Sequence, residues 1–314
     1  MLLSIRKIIK EFPVQRGLLG TPTAFLRAVN DVSFEVEAGE VVGVVGESGC
    51  GKSTLGKCIV GLQEPTEGQV LWNDQDFKSL QKGRKRALRR EFQMVFQNPF
   101  SSLNPRQKIK DVLLEPLEVH QLLATSARLA FVKDLMTQVG LSASDLEKYP
   151  HEFSGGQRQR IGIARALACQ PQLMVLDEPV SSLDVSVQAS ILNLLVKLNR
   201  DKKIGYLFIS HDLQVVGYIS HRVLVMYLGR VVEEGTVEQV LQKPKHPYTQ
   251  VLLRASIGSS VALKGETPNP VNAPKGCPFA ARCPHTEERC LVEEQELQEV
   301  ESRWRVACWK WHKI

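Results

Sequence analysis

Residues Gly46–Thr54 read GESGCGKST, and no other segment narrows the fold as much. The pattern G-x-x-x-x-G-K-[ST] is a phosphate loop when a strand precedes it and a helix follows. Both conditions are legible here. Glu40–Val45 is an apolar run of the kind buried in a parallel or mixed sheet. KSTLGKCIVGL then has helical spacing that stops near Gly61, before the turn signal EPTEG. Glycines let successive N–H groups turn inward around phosphate, and the helix that follows puts its positive dipole end at the same point. Lys52 supplies a mobile cation for the β and γ phosphates. At about 4 Å and an effective dielectric near 20, such a pair is worth about 4 kcal/mol, more than a neutral hydrogen bond. Ser53 offers its hydroxyl to Mg²⁺ and Thr54 reaches the α-phosphate, while Gly46, Glu47, Ser48, Gly49, Cys50 and Gly51 complete the cradle.

A second strand, LMVLDEP (Leu173–Pro179), delivers two acids at its carboxyl end, where open α/β sheets bind ligands. Asp177 is placed to hold Mg²⁺ through water, and Glu178 to polarise a water for in-line attack on a γ-phosphate. Further strands are expected at Val29–Val36, in FQMVFQ, at Tyr206–Ser210 and at Arg222–Tyr227, with a helix over Val185–Lys202. The alternation implies a βαβ sheet flanked by helices. Between NPFSSLNP and Cys169 the pattern is mostly helical. The run KGRKRALRR (82–90) reads as a solvated basic face before a strand, with anionic lipid headgroups as the other candidate contact.

The chain of 314 residues carries 40 Lys and Arg against 34 Asp and Glu, a net charge of +6 that is too small for a dedicated nucleic-acid binder. No run of about 18 uncharged apolar residues exists, so no membrane span is expected. The opening MLLSIRKIIKEFPV is interrupted by Arg6, Lys7 and Lys10, which argues against a secretory signal and for a cytosolic chain.

FSGGQRQR (Phe153–Arg160) opens another helix, where the hydroxyl of Ser154 and the amides of Gly155 and Gly156 form a ready anion site; a helix cap without a ligand is the plainer alternative. GESGCGKST, FSGGQ, LMVLDEP, SSLD (Ser181–Asp184) and the lone His211 after YLFIS occur in the order and approximate spacing of an ABC-type ATPase. VFQNPFSSLNPR, DEPVSSLDVSVQ, MYLGRVVEEG and HPYT resemble the peptide and nickel branch of bacterial ABC importers, most of all the second ATPase of dipeptide or oligopeptide permeases.

That resemblance implies an α/β P-loop NTPase of ABC type with a mixed-sheet core. A nucleotide-binding domain would span 1–242, with a helical subdomain at about 98–170, and a small Cys-rich extension would span 243–314. It implies a head-to-tail dimer with a second, similar ATPase, in which Ser154, Gly155, Gly156 and Gln157 meet ATP held by the partner and Asp184 lies in the dimer loop. Gln97 matches the residue that contacts Mg²⁺ and couples to the membrane partner, and His211 matches the γ-phosphate switch, so the catalytic set becomes Lys52, Gln97, Glu178 and His211. Phe12 stands where an aromatic ring stacks on adenine, although a core ring is its other reading. The cofactors implied are ATP and Mg²⁺. The partners implied are two transmembrane permeases, the second ATPase and an extracytoplasmic solute-binding protein, at the cytoplasmic face of a bacterial plasma membrane. Import of di- or oligopeptides is the expected function. A nickel or other small-solute importer of the same branch is the alternative, and a soluble ABC ATPase acting on ribosomes or DNA a more distant one.

Four of the seven cysteines, Cys277, Cys283, Cys290 and Cys308, fall within 277–314, where even scattering would place about one. The spacing C-x5-C-x6-C-x17-C follows TPNPVNAPKG, a proline-rich linker, and matches neither common zinc sites nor a ferredoxin run. Four thiolates in a loop-rich segment can fold around a metal centre, and Trp304, Trp309 and Trp311 could exclude water from it. Zinc and free thiols stay open on spacing alone. The resemblance to peptide importers implies a 4Fe-4S cluster.

Overall fold

A computed structural model describes residues 1–16, 22–97, 103–256, 268, 271 and 274–313. Half of TPNPVNAPKG and most of NPFSSLNP lie outside the described residues. The chain divides into two units: Met1–Val36 with Val41–Lys78 and Phe208–Ile314, and Glu37–Glu40 with Ser79–Leu207.

The first unit opens with β1 (Leu3–Arg16) and β2 (Pro22–Val36), joined later by β4 (Glu67–Trp72) and β5 (Gln75–Asp76) in an antiparallel sheet of order β2-β1-β4-β5. The opening segment is thus a strand, which its sequence pattern hides. Leu3 and Ile5 alternate into the core, but the register shifts between Ile5 and Ile8, where Lys7 adopts φ +48 and donates its N–H to Ser33 Oγ at 2.8 Å. The bulge breaks the two-residue period and brings Ile8 back inside. A second set of strands is built on β3 (Val41–Val45), whose five residues are all buried. It lies parallel to β9 (Arg222–Tyr227), and β9 pairs with β10 (Arg230–Thr236) antiparallel. The tail extends this set. β12 (Trp304–Val306) pairs with β10, and β11 (Gln298–Glu301) pairs with β12. Helices α1 (Lys52–Ile59), α7 (Leu213–Ile219), α8 (Val237–Gln242), α9 (Pro247–Ser256) and α10 (Glu288–Val292) complete the unit.

The second unit carries α2 (Lys82–Arg89), β6 (Phe92–Val95), α3 (Ile109–Val119), α4 (Thr125–Gln138), α5 (Gly155–Ala168), β7 (Leu173–Asp177) and α6 (Val185–Lys202). β6 and β7 are parallel in the order β8-β7-β6, and β8 (Gly205–Ile209) leads the chain back to the first unit. β7 and β8 are buried at every residue, as continuous apolar runs require. The basic run is itself a helix, α2, anchored by the single buried Leu88 and by Arg86 donating to the Val119 carbonyl at 2.8 Å. Lys82, Arg84 and Arg89 on the same helix are exposed, and Lys85 is half-buried. Among the described residues no helix is long and apolar enough to cross a membrane.

Candidate functional site

In the first unit the chain leaves β3 at Val45 and turns through Gly46–Gly51 into α1. The turn is tied to the strands around it: Gly229 N–H donates to the Cys50 carbonyl at 2.9 Å, and Asn30 N–H donates to the Gly229 carbonyl at 2.8 Å. Gly51 has φ +105, and a Cβ there would lie 2.0 Å from the Ala28 carbonyl oxygen, so both backbone conformation and close approach require glycine. Gly51 also has no side chain with which to cap α1, which leaves the first N–H groups of that helix for an anion. Lys52 is only 5% exposed. Its Nζ donates to the Gly46 and Glu47 carbonyls at 2.8 and 2.9 Å and stands 3.8 Å from Cys50 Sγ, so the cation spans the loop. Burial pushes the Cys50 thiol up, against the pull of Lys52. Ser53 and Thr54 sit half-buried in the first turn of α1.

His211 is exposed and follows β8 through Ser210, whose N–H donates to the Val44 carbonyl at 3.1 Å and so sets this segment beside the end of β3. Asp212, next in sequence, caps α7 by accepting from the N–H groups of Gln214 and Val215 at 2.8 and 3.3 Å. Phe12 is half-buried on β1 opposite Leu26, with Lys10 Nζ 5.2 Å from its ring centroid.

In the second unit β7 ends on the buried Asp177, and Glu178 follows at φ +46. This left-handed backbone costs a residue other than glycine about 1 kcal/mol. Ser181 holds it, donating its Oγ–H at 3.2 Å and its N–H at 3.4 Å to the Glu178 carbonyl. Gln97, two residues past β6, donates Nε2–H to Glu178 Oε2 at 2.8 Å. The two candidate catalytic residues are therefore in direct contact.

Ser154 is the N-cap of α5: its Oγ accepts from Gln157 N–H at 3.3 Å while Gln157 Oε1 accepts from Ser154 N–H at 2.9 Å. This reciprocal pair is a capping box. Gly156 is buried under α6, since a Cβ would lie 2.3 Å from Val187 Cγ1, and Gly155 faces Leu183 more loosely. Asp184 caps α6 and accepts from Val187 N–H at 3.0 Å and Ser186 Oγ–H at 2.7 Å; the Val187 N–H holds its carboxyl below the usual value.

Cys277, Cys283, Cys290 and Cys308 line one cavity of about 20 Å³. Burial pushes the Cys277 thiol up to about 12 and Cys308 to about 11, and the neighbouring thiols add to both. Among the described residues no three His, Cys, Asp or Glu are grouped closely enough to hold a metal ion. Of the three tail tryptophans only Trp309 lines the cavity, which corrects the expectation for the other two. Trp304 is buried on β12 and donates Nε1–H to Glu233 at 2.9 Å, and Lys245 lies over the rings of Trp304 and Trp311 at 4.3 and 4.5 Å. Cys58 and Cys169 are buried core residues whose thiols burial pushes up to about 11.

Two residues that motif reasoning passed over reach the P-loop. Tyr248, inside the quoted HPYT, accepts the Glu47 N–H at 2.9 Å, and Arg282 pairs with the Glu47 carboxylate through both Nη atoms at 2.9 Å. His246 in the same HPYT is fully buried and pushed down to about 3 by that burial, so it is neutral; its Nδ1 accepts Tyr248 N–H at 3.1 Å and helps fix the ring.

Residues 29–181 match the ABC transporter family, and residues 232–290 match the oligopeptide/dipeptide transporter C-terminal region. The di/tripeptide transport ATP-binding protein DppF of Pseudomonas aeruginosa is 47% identical over 98% of this chain and 96% of its own length. The oligopeptide transport ATP-binding protein AppF of Bacillus subtilis is 46% identical over 98% and 96%. Among solved structures, the dimeric post-hydrolysis form of the ATP-binding cassette MJ0796 bound to ADP and Pi is similar with a TM-score of 0.66 at 26% identity, covering 75% of this chain and 99% of that one. The likeness to the peptide-transport proteins runs through the P-loop, the acidic strand and the tail alike. The chain is an ABC ATPase and belongs to the ABC transporter ATP-binding proteins of the dipeptide/oligopeptide transporter family.

Proposed function

We propose that the chain is the ATP-hydrolysing subunit that powers import of di- and oligopeptides through a membrane ABC transporter. The observation that carries this reading is identity of 46–47% over nearly the full length of proteins named for peptide transport, including the segment matched by the oligopeptide/dipeptide C-terminal region. ATP and Mg²⁺ are the cofactors of an ABC ATPase. The residues present suit Mg²⁺, because a hydroxyl (Ser53), an amide oxygen (Gln97) and a carboxylate (Asp177) are the hard oxygen donors it prefers. When bound, the ion neutralises charge on the β- and γ-phosphate oxygens.

The protein's own groups do the remaining work. Gly46–Thr54 bind the triphosphate, with the α1 N-terminus and Lys52 as the positive end, and Phe12 stacks on the base. Glu178 accepts a proton from the attacking water. The amide of Gln97 orients the Glu178 carboxylate, a role supported by their 2.8 Å hydrogen bond, and His211 donates to the γ-phosphate. Ser154–Gln157 and Asp184 serve the nucleotide of a second, similar ATPase, and the capping box keeps the Ser154 end of α5 ordered for that contact. The helical segment about 98–170 couples closure to the permeases, and 243–314 forms the extension.

The four tail cysteines hold a 4Fe-4S cluster. This reading rests on the resemblance of the tail to those of peptide importers and on the one pocket that the four thiols line together. The assembly then comprises two permeases, two ATPases and an extracytoplasmic binding protein, with this subunit peripheral on the cytoplasmic face. Affinity purification from gently solubilised native membranes tests it. Recovery of two permeases, a sister ATPase and a binding protein is expected, whereas recovery of ribosomes or DNA-repair factors without membrane protein would overturn the transport assignment.

A further inference from the structure

Three contacts converge on Glu47, the second residue of the P-loop. Its carboxylate takes a two-pronged ion pair from Arg282, Nη1 to one oxygen and Nη2 to the other, both at 2.9 Å. Its N–H donates to Tyr248 Oη at 2.9 Å, and its carbonyl accepts Lys52 Nζ at 2.9 Å. Arg282 and Tyr248 both come from the C-terminal segment, 235 and 201 residues away in sequence. The Arg282 side chain is 5% exposed, donates also to Tyr227 Oη at 3.2 Å, and lies 5.8 Å from the centroid of that ring. Tyr227, Tyr248 and Phe279 pack with their centroids 4.6 to 5.4 Å apart, so the Arg282 donor and the Tyr248 acceptor are both held at one aromatic cluster.

An acidic side chain in a loop built to hold phosphate works against its ligand, because like charges repel in the low-dielectric surroundings of a partly buried site. Glu47 is partly buried, and a guanidinium with the fork geometry that matches a carboxylate is bonded to it. The Tyr248 hydroxyl and the Lys52 ammonium then fix the peptide groups on either side of the same residue.

We propose that Arg282 is a positioning residue for the nucleotide phosphates, with Tyr248 as its companion. The C-terminal extension neutralises and orients Glu47, and through the Glu47 carbonyl it sets where Lys52 rests before the triphosphate arrives. The nucleotide site is therefore completed by the tail and is not contained in the P-loop segment alone. This rests on the nucleotide reading of the P-loop.

The test is calorimetric binding of AMP-PNP with Mg²⁺ to the full chain, with thermal melting in parallel. Arg282→Gln is expected to bind about tenfold more weakly, within the usual range for coupled groups. Removing the acid as well, in Arg282→Gln/Glu47→Gln, is expected to restore affinity to within about twofold of wild type, the signature of coupling in a double-mutant cycle. Arg282→Lys keeps the charge but loses the fork, and about threefold weakening is expected; it decides the matter if Arg282→Gln does not fold. In the assembled ATPase the KM for ATP of Arg282→Lys rises while kcat holds, a split that a purely structural role would not produce. Wild-type affinity in a folded Arg282→Gln, or a double variant as weak as the single, would overturn the proposal. Undiminished binding in Lys52→Ala would instead overturn the P-loop reading on which it rests.

Discussion

Replacing Gly51 by alanine separates the steric role of the P-loop glycines from their conformational one. At φ +105 an L-residue lies beyond even the ordinary left-handed region, which costs about 2 kcal/mol. The new Cβ would also lie 2.0 Å from the Ala28 carbonyl oxygen, so about 1.4 Å of retreat is needed to reach ordinary contact at 3.4 Å. That oxygen belongs to β2, and overpacking of this kind adds about 1–3 kcal/mol. Gly49 is the control. It has φ +79, and a Cβ there would meet no heavy atom within 4 Å, so Gly49→Ala should cost only the backbone strain of about 1–2 kcal/mol. Urea unfolding followed by tryptophan fluorescence, compared at unchanged m, measures both. Gly51→Ala is expected to lose about 2 kcal/mol more than Gly49→Ala, and a shift of the loop by about 1 Å should lower hydrolysis about 100-fold. Equal losses of stability from the two substitutions would refute the reasoning, because they would show that the approach of Ala28 does not constrain the loop.

Glu178→Gln should lower ATP hydrolysis by about 10²–10⁴ while leaving AMP-PNP binding in place; hydrolysis undiminished in the assembled complex would remove Glu178 as the base. The Asp184 carboxyl is held below its ordinary value by Val187 N–H, so its cap of α6 is complete above the unfolded value of about 3.9 and weakens as pH falls below it. Urea midpoints of Asp184→Asn, which keeps an acceptor without titrating, should therefore vary less between pH 5 and pH 3 than those of wild type. Protein prepared without oxygen should be brown with about four irons per chain, and Cys277→Ser or Cys290→Ser should lose the colour; a colourless, iron-free preparation would contradict the cluster.

The P-loop was readable because strand, loop and helix are contiguous in sequence and each residue type has a local reason to be there. The SGGQ segment had two readings, an anion site and a helix cap. The Ser154–Gln157 pair shows the cap at atomic level, and a cap leaves the glycine amides free to serve an anion as well. β1 was hidden by the bulge at Lys7, which interrupts the alternation that betrays a strand. α2 was hidden because one buried leucine among five basic residues gives no apolar stripe. The Trp304 indole was drawn away from the thiol pocket by Glu233, an acid that nothing in the local sequence marks as buried. The contact between Arg282 and Glu47 spans 235 residues, and no periodicity announces it. HPYT carried a hint, since a tyrosine that proves fully buried needs a partner for its hydroxyl.

The central claim is that ATP hydrolysis by this chain drives peptide uptake, and uptake of a radiolabelled tripeptide by native-host cells carrying either wild type or Glu178→Gln tests it most directly. Accumulation is expected with wild type and none with Glu178→Gln, although both co-purify with the same permeases. Uptake that continues unchanged with Glu178→Gln, or a hydrolysing wild-type complex that moves no peptide, would contradict it.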